Sequence, residues 1–194
     1  MTATSWSLLE QSHNALRASV AEVADADWAA KTPCDQWNVA QVLRHAAGDQ
    51  CAYAATITGA GGPEENPFDP ATDAPGDPKD LLETALDTSA RAFATVTPDA
   101  QAVPTPLPQG PLPAEIAVGA AALDAAVHAW DIAVATGRPS PLSTDLSERL
   151  LPVAEALAEP LRGFAYAPAL DPHPADDATA ALLRYLGRDP EWAR

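Results

Sequence analysis

Basic side chains are scarce in this chain: 11 Lys and Arg stand against 27 Asp and Glu, for a formal net charge of −16. Nucleic-acid phosphates would be repelled by such a surface, and so would an anionic membrane. The acidic excess reads as a solvated exterior. Cysteine is nearly missing too. Cys34 and Cys51 have no CxxC spacing, so neither a disulfide framework nor a cysteine metal knuckle is expected, and free thiols in a reducing cytoplasm are. The N-terminus shows no basic segment followed by an apolar run, so no signal peptide is expected. No apolar run reaches the ~20 residues of a bilayer span. No glycine-rich phosphate loop points to a nucleotide. Strand-like alternation and internal repeats are lacking. Aromatic residues make up only 6% of the chain.

What is there is alanine, and apolar residues at 47%, arranged with helical periodicity. Small contact residues suit closely packed helices, and 194 residues are enough for one domain with a real core. A first amphipathic helix is expected over 4–23, with Leu8, Leu9, Ala15, Leu16, Val20 and Val23 inward and His13 at its surface. Asp25 to Trp28 reads as a short helical turn, and 31–37 as a connector. Asn38 and Gln41 make a capping box for a second helix that Gly59 closes. A loop rich in glycine and proline follows over 59–77. Asp77 and Pro78 start a third helix that runs to about Val96.

The proline-rich stretch 98–113 reads as an extended connector crossing the molecule. A fourth helix begins near Ala114, with Ile116, Ala120, Leu123, Val127, Trp130 and Val134 as its apolar stripe. Gly137 and Pro139 end it. Ser143 or Thr144 caps a fifth helix reaching Leu157, which Pro152 is placed to bend. A last short helix spans about 176–186 before Gly187. The order describes an all-α protein: a four-helix bundle with additional C-terminal helices and two long connections, as one domain over 1–194.

Candidate chemistry sits on the fourth helix. Asp124 and His128 are four residues apart, one above the other on the flank of the stripe. A carboxylate and an imidazole one turn apart suit a shared metal ion. A catalytic site of this kind needs about three protein ligands and one open position. His45, in the middle of the second helix beside its own apolar stripe, is the best third ligand. Two histidines and one carboxylate suit zinc most, with nickel or iron as alternatives. Taken alone, Asp124 and His128 read by default as a helix-surface ion pair, and His45 as a satisfied core histidine. Asp131 reads as a structural hydrogen-bonding group, or else as a carboxylate orienting a ligand. Asp49 and Gln50 are pocket candidates. Cys34, with no base or cation near it in sequence, reads as a buried small residue rather than a nucleophile.

The stretch Thr32-Pro-Cys-Asp-Gln-Trp-Asn-Val-Ala-Gln-Val-Leu-Arg-His45 resembles the N-terminal motif of the DinB-like metal-binding family. The branch it resembles is the actinobacterial one that includes mycothiol-dependent maleylpyruvate isomerase. Val127-His128-Ala-Trp-Asp-Ile-Ala-Val-Ala-Thr-Gly137 is similar to the second motif of an uncharacterised sub-branch, and Leu186-Gly-Arg-Asp-Pro-Glu-Trp192 to its ending. The resemblance covers nearly the whole chain, with the three motifs in the expected order. It implies a DinB-like bundle and a divalent metal held by His45, Asp124 and His128. The isomerase carries glutamate where this chain has Asp124, and a further C-terminal domain.

The function so implied is metal-dependent thiol transfer or isomerisation of a small-molecule substrate, with a low-molecular-weight thiol such as mycothiol. The alternatives are metal-dependent hydrolysis, or a non-catalytic metal- or ligand-binding module. Neither a nucleic acid nor a membrane is expected as a partner, and homodimerisation is left open.

Overall fold

Each helix start expected from a polar cap is present in the computed structural model, which describes residues 6–194. Positions 4 and 5 of the expected first helix lie outside those residues. Six α-helices follow in order: α1 (Ser7–Ala21), α2 (Val39–Thr58), α3 (Pro78–Phe93), α4 (Ala114–Ala135), α5 (Thr144–Leu157) and α6 (Ala178–Tyr185). Asn38 caps α2 through a full capping box with Gln41. Asp77 caps α3, Ser143 caps α5 and Asp177 caps α6, each accepting backbone N–H bonds. Single turns of tighter helix occupy Asp25–Asp27 and Glu159–Leu161. Among the described residues there is no strand, only isolated backbone bridges. The fold is all-α, as expected.

α4 is the centre of the bundle. It packs on α1, α2 and α5, while α3 closes the ring against α1 and α2, and α6 lies on α5. This corrects the one-sided stripe expected for α4. Eighteen of its 22 residues are buried, and the alanines on every side let three helices approach at once. Ile116 and Val134, assigned to the stripe, are only half-buried. The expectation about spanning runs also needs correction. α4 is long and apolar enough to cross a membrane by length and composition, but 89% of that window is buried inside the bundle.

His13 is a third correction. It was expected at the surface, yet it is 2% exposed, because its face of α1 looks onto α2 and α3. Its Nε2 lies 3.0 Å from Gln50 Oε1, and Ser89 Oγ donates to the same oxygen at 2.8 Å. Gln50 Nε2 donates to the Ala121 carbonyl of α4 at 2.9 Å. Burial drives the His13 pKa down to about 4, against the opposing bond to Gln50, so the ring is neutral.

The proline-rich stretch does not cross the molecule extended. It folds back so that Val103 and Leu112 exchange backbone bonds of 2.8 and 3.0 Å. The 59–77 loop is held down by one face of α2. Asn38, Gln41 and Arg44 donate to the carbonyls of Thr72, Pro70 and Asp73, and Arg44 pairs with Glu65 at 2.9 Å.

Candidate functional site

The loop reaches the site through Gly48. A Cβ there would meet Pro67 Cγ at 2.9 Å, so glycine allows Pro67 to settle directly on α2. One turn earlier on α2, His45 Nδ1 then lies 2.8 Å from the Pro67 carbonyl oxygen. A carbonyl only accepts, so this nitrogen carries the hydrogen and Nε2 keeps the lone pair of the neutral ring. On α4 the same arrangement recurs with a different partner. His128 Nδ1 lies 2.9 Å from Asp131 Oδ2, which again leaves Nε2 free.

Both free nitrogens turn to one carboxylate. His45 Nε2 is 3.6 Å and His128 Nε2 is 3.5 Å from Asp124 Oδ1, and the two rings stand nearly perpendicular at 88°. One atom from each of the three residues lies within 4.8 Å of the others. A tetrahedral zinc with bonds of 2.0–2.1 Å would set its ligands about 3.3 Å apart, close to the two shorter separations. The other carboxylate oxygen, Asp124 Oδ2, is buried without a hydrogen-bond partner. An orphaned carboxylate oxygen beside two imidazole lone pairs is a donor set that fits a divalent ion.

Without such an ion, a proton is the only cation that can offset the carboxylates. Burial opposes charge on His45, but Asp124, Asp49 and the Pro67 carbonyl outweigh it and raise its pKa to about 9. Asp49, one turn beyond, sits 3.8 Å from His45 Nε2. Its burial and the charge of Asp124 push its carboxyl up to about 7, against the pull of His45.

Asp131 is fully buried and makes the structural hydrogen bonds expected of it. Besides His128 it receives Arg188 Nε and Nη2, each at 2.9 Å. Burial works against its charge, but Arg188 and His128 prevail and hold the carboxyl down at about 2. Arg188 was not singled out in sequence. It arrives through a turn at Gly187, whose φ of 78° suits glycine and ends α6 with the paired bonds Gly187 N to Arg184 O and Arg188 N to Leu183 O. The only advance signal was its place within the Leu186-Gly-Arg ending.

Above the triad opens a cavity of about 470 Å³, a size ordinary for a small-molecule site. His45, Asp49, Asp124 and His128 line it with Tyr53 and Tyr166. Gln50 does not reach it, being spent on the His13 network. Cys34 is half-buried and outside it. Its thiol is raised to about 11 by burial and by Asp131, which makes a poor nucleophile. Cys34 and Cys51 are both free.

Residues 9–133 match the family described as the mycothiol maleylpyruvate isomerase N-terminal domain. The chain belongs to that family. An uncharacterized protein of Mycobacterium tuberculosis, recorded from two strains, is 27% identical over 154 residues, 78% of either chain. Two crystal structures of mycothiol-dependent maleylpyruvate isomerase, one of them a histidine-to-alanine mutant, share the fold. Their TM-scores are 0.58 and 0.57 at 17% and 16% identity, over 77% of this chain. The chain spans 66% of the length of those isomerase chains. The family match ends just past Asp131, so α5, α6 and Arg188 lie beyond the matched region.

Proposed function

We propose that this family member holds a divalent ion through His45, Asp124 and His128 and acts as a thiol transferase or isomerase. Its thiol would be of low molecular weight, such as mycothiol. The observation that carries this reading is the pair of histidines with fixed Nδ1 hydrogens, whose Nε2 atoms converge on Asp124 at the floor of a cavity. When bound, the ion supplies a lowered pKa to a thiol or water at its open position, and so a nucleophile near neutral pH.

The chain's own residues do the rest. The Pro67 carbonyl and Asp131 hold the two Nδ1 hydrogens, which fixes the tautomers and the ring directions. Asp49 Oδ2, beside His45, takes the proton that an incoming thiol gives up. Tyr53 and Tyr166 form part of the cavity wall. Residues 6–194 act as one unit in this reading, since the C-terminal tail supplies Arg188 to the carboxylate that orients His128.

Elemental analysis of the purified chain tests it, with about one zinc, nickel or iron ion expected per chain. A panel of thiols and electrophiles should then show turnover that a chelator abolishes. Full metal occupancy in His45→Ala would sink the site that joins α2 to α4. Metal binding without any metal-dependent thiol consumption would replace the enzyme with a binding module.

A further inference from the structure

The described residues leave three large apolar side chains exposed, and two of them meet over this cavity. Phe68, 48% exposed, comes from the 59–77 loop; Phe164, 68% exposed, comes from the segment after α5. Their ring centroids are 5.1 Å apart, and Phe68 also lies against His45 at 5.4 Å. Two loops distant in sequence thus hold phenyl rings in water at the mouth of one chamber, which a core has no reason to do. The walls below continue the same character with Val127, Leu157, Leu161 and Leu107.

The charges of the chamber offer nothing to an anion. Arg188 is the one Lys or Arg in its lining, and two of its nitrogens close on Asp131. Asp49 and Asp124 on the floor balance a divalent ion held there. A dicarboxylate would therefore meet an ion already balanced by two carboxylates, a neutralised guanidinium and the field of a chain with net charge −16. Sites built for such ligands present uncommitted arginines in a forked grip.

We propose that the chamber takes an uncharged apolar or aromatic ligand, clasped between Phe68 and Phe164, and rejects dicarboxylates of the kind named for the isomerase neighbours. This rests on the chamber being the substrate site of the function proposed above. Phe68 and Phe164 are the specificity-determining residues, and the buried Asp131–Arg188 pair removes the cation that an anionic substrate would need.

The test is fluorescence titration of the full chain with N-phenylnaphthylamine, an uncharged probe, and displacement with maleate, a small dicarboxylate. Zinc-loaded and chelator-treated protein are run side by side with a zinc titration. The probe should bind, Phe68→Ala and Phe164→Ala should each weaken it about fivefold, and millimolar maleate should leave it in place. Both rings are exposed, so the variants keep the fold, which circular dichroism checks. Displacement by maleate, or unchanged probe affinity in both variants, overturns the proposal. Probe behaviour as expected with no zinc bound defeats the metal reading and leaves the ligand class standing. Zinc bound with maleate displacing the probe does the reverse.

Discussion

Two buried histidine clusters lie within this bundle, and they are opposite in character. Around His13, every partner is neutral: Gln50 accepts from Ser89 and sits against the imidazole, and its amide nitrogen is taken by a backbone carbonyl. Around His45 and His128, the neighbours are carboxylates, and one oxygen of Asp124 has no partner at all. Burial, helped by the charge of Arg17, therefore rules at His13 and expels the proton, while at His45 the carboxylates overcome burial and draw a positive charge in. A network that satisfies itself is a structural device; one that keeps an unpartnered carboxylate oxygen beside two imidazoles suits the cation proposed for it.

The largest effect should come from the residue that ties the second cluster to the rest of the fold. Asp131→Ala strands the Arg188 charge in the interior, which costs about 3–5 kcal/mol of stability. It also frees the His128 ring, lowering metal affinity about 10- to 100-fold. Urea denaturation and a zinc titration measure the two parts. The double variant Asp131→Leu with Arg188→Met should recover most of the stability and little of the affinity, separating folding from ligand orientation.

Next in size is the direct contrast between the clusters. His128→Ala should lower zinc affinity about a thousandfold, or about 4 kcal/mol, measured against a competing chelator. His13→Ala should leave zinc affinity unchanged and cost stability instead. If His13→Ala lowered affinity as much as His128→Ala, the two clusters would be one site and the comparison would fail.

A pH series sharpens the contrast further, because the two histidines have opposite signs. His13 has a folded pKa of about 4, below its ordinary 6.5. The unfolded chain takes up its proton first, so stability falls as pH drops from 6.5 to 4, by about 3 kcal/mol in all. His45 has a folded pKa of about 9. Its contribution to the metal-free protein is whole below 6.5 and is lost as pH rises through 9. Melting temperatures of chelator-treated protein should therefore decline on both sides. His13→Ala should remove the acid decline, and added zinc the alkaline one, since the ion replaces the proton. An alkaline decline that zinc leaves untouched would show that these residues do not share an ion.

The smallest expected change is Ser89→Ala, which removes one of two bonds to Gln50 Oε1. The His13 contact remains, so about 1 kcal/mol of stability is at stake, read as a small shift in the urea midpoint with zinc affinity unchanged. A loss several times larger would mean that the neutral network is less self-sufficient than its bonds indicate.

Helix starts were legible in the sequence because a cap is a local event. Asn38 with Gln41, Asp77 and Ser143 each act on backbone groups two or three residues away, and no distant contact is needed to place them. The i, i+4 spacing of Asp124 and His128 was legible for the same reason. His45 was the best companion from its mid-helix place beside an apolar stripe, and motif resemblance supported it, because nothing local says that α2 faces α4. The alanine-rich α4 misled, because a helix with small residues on every side carries little periodic signal of which faces are covered. His13 misled because a polar residue on an apolar helix reads as solvent-facing until its partner, 37 residues on, is known.

What the sequence by itself determined is thus the set of helices, their caps and the residue types able to hold a metal. All of these depend on neighbours along the chain. Only the tertiary structure decided that His13 is neutral and walled in, that Pro67 and Asp131 fix the two ring tautomers, and that Arg188 is spent 57 residues from its own position. It also decided that two phenylalanines from separate loops share one chamber mouth. The physical reason is that charge, tautomer and accessibility depend on what lies within a few ångströms in space, and the packing of helices around α4 sets those distances.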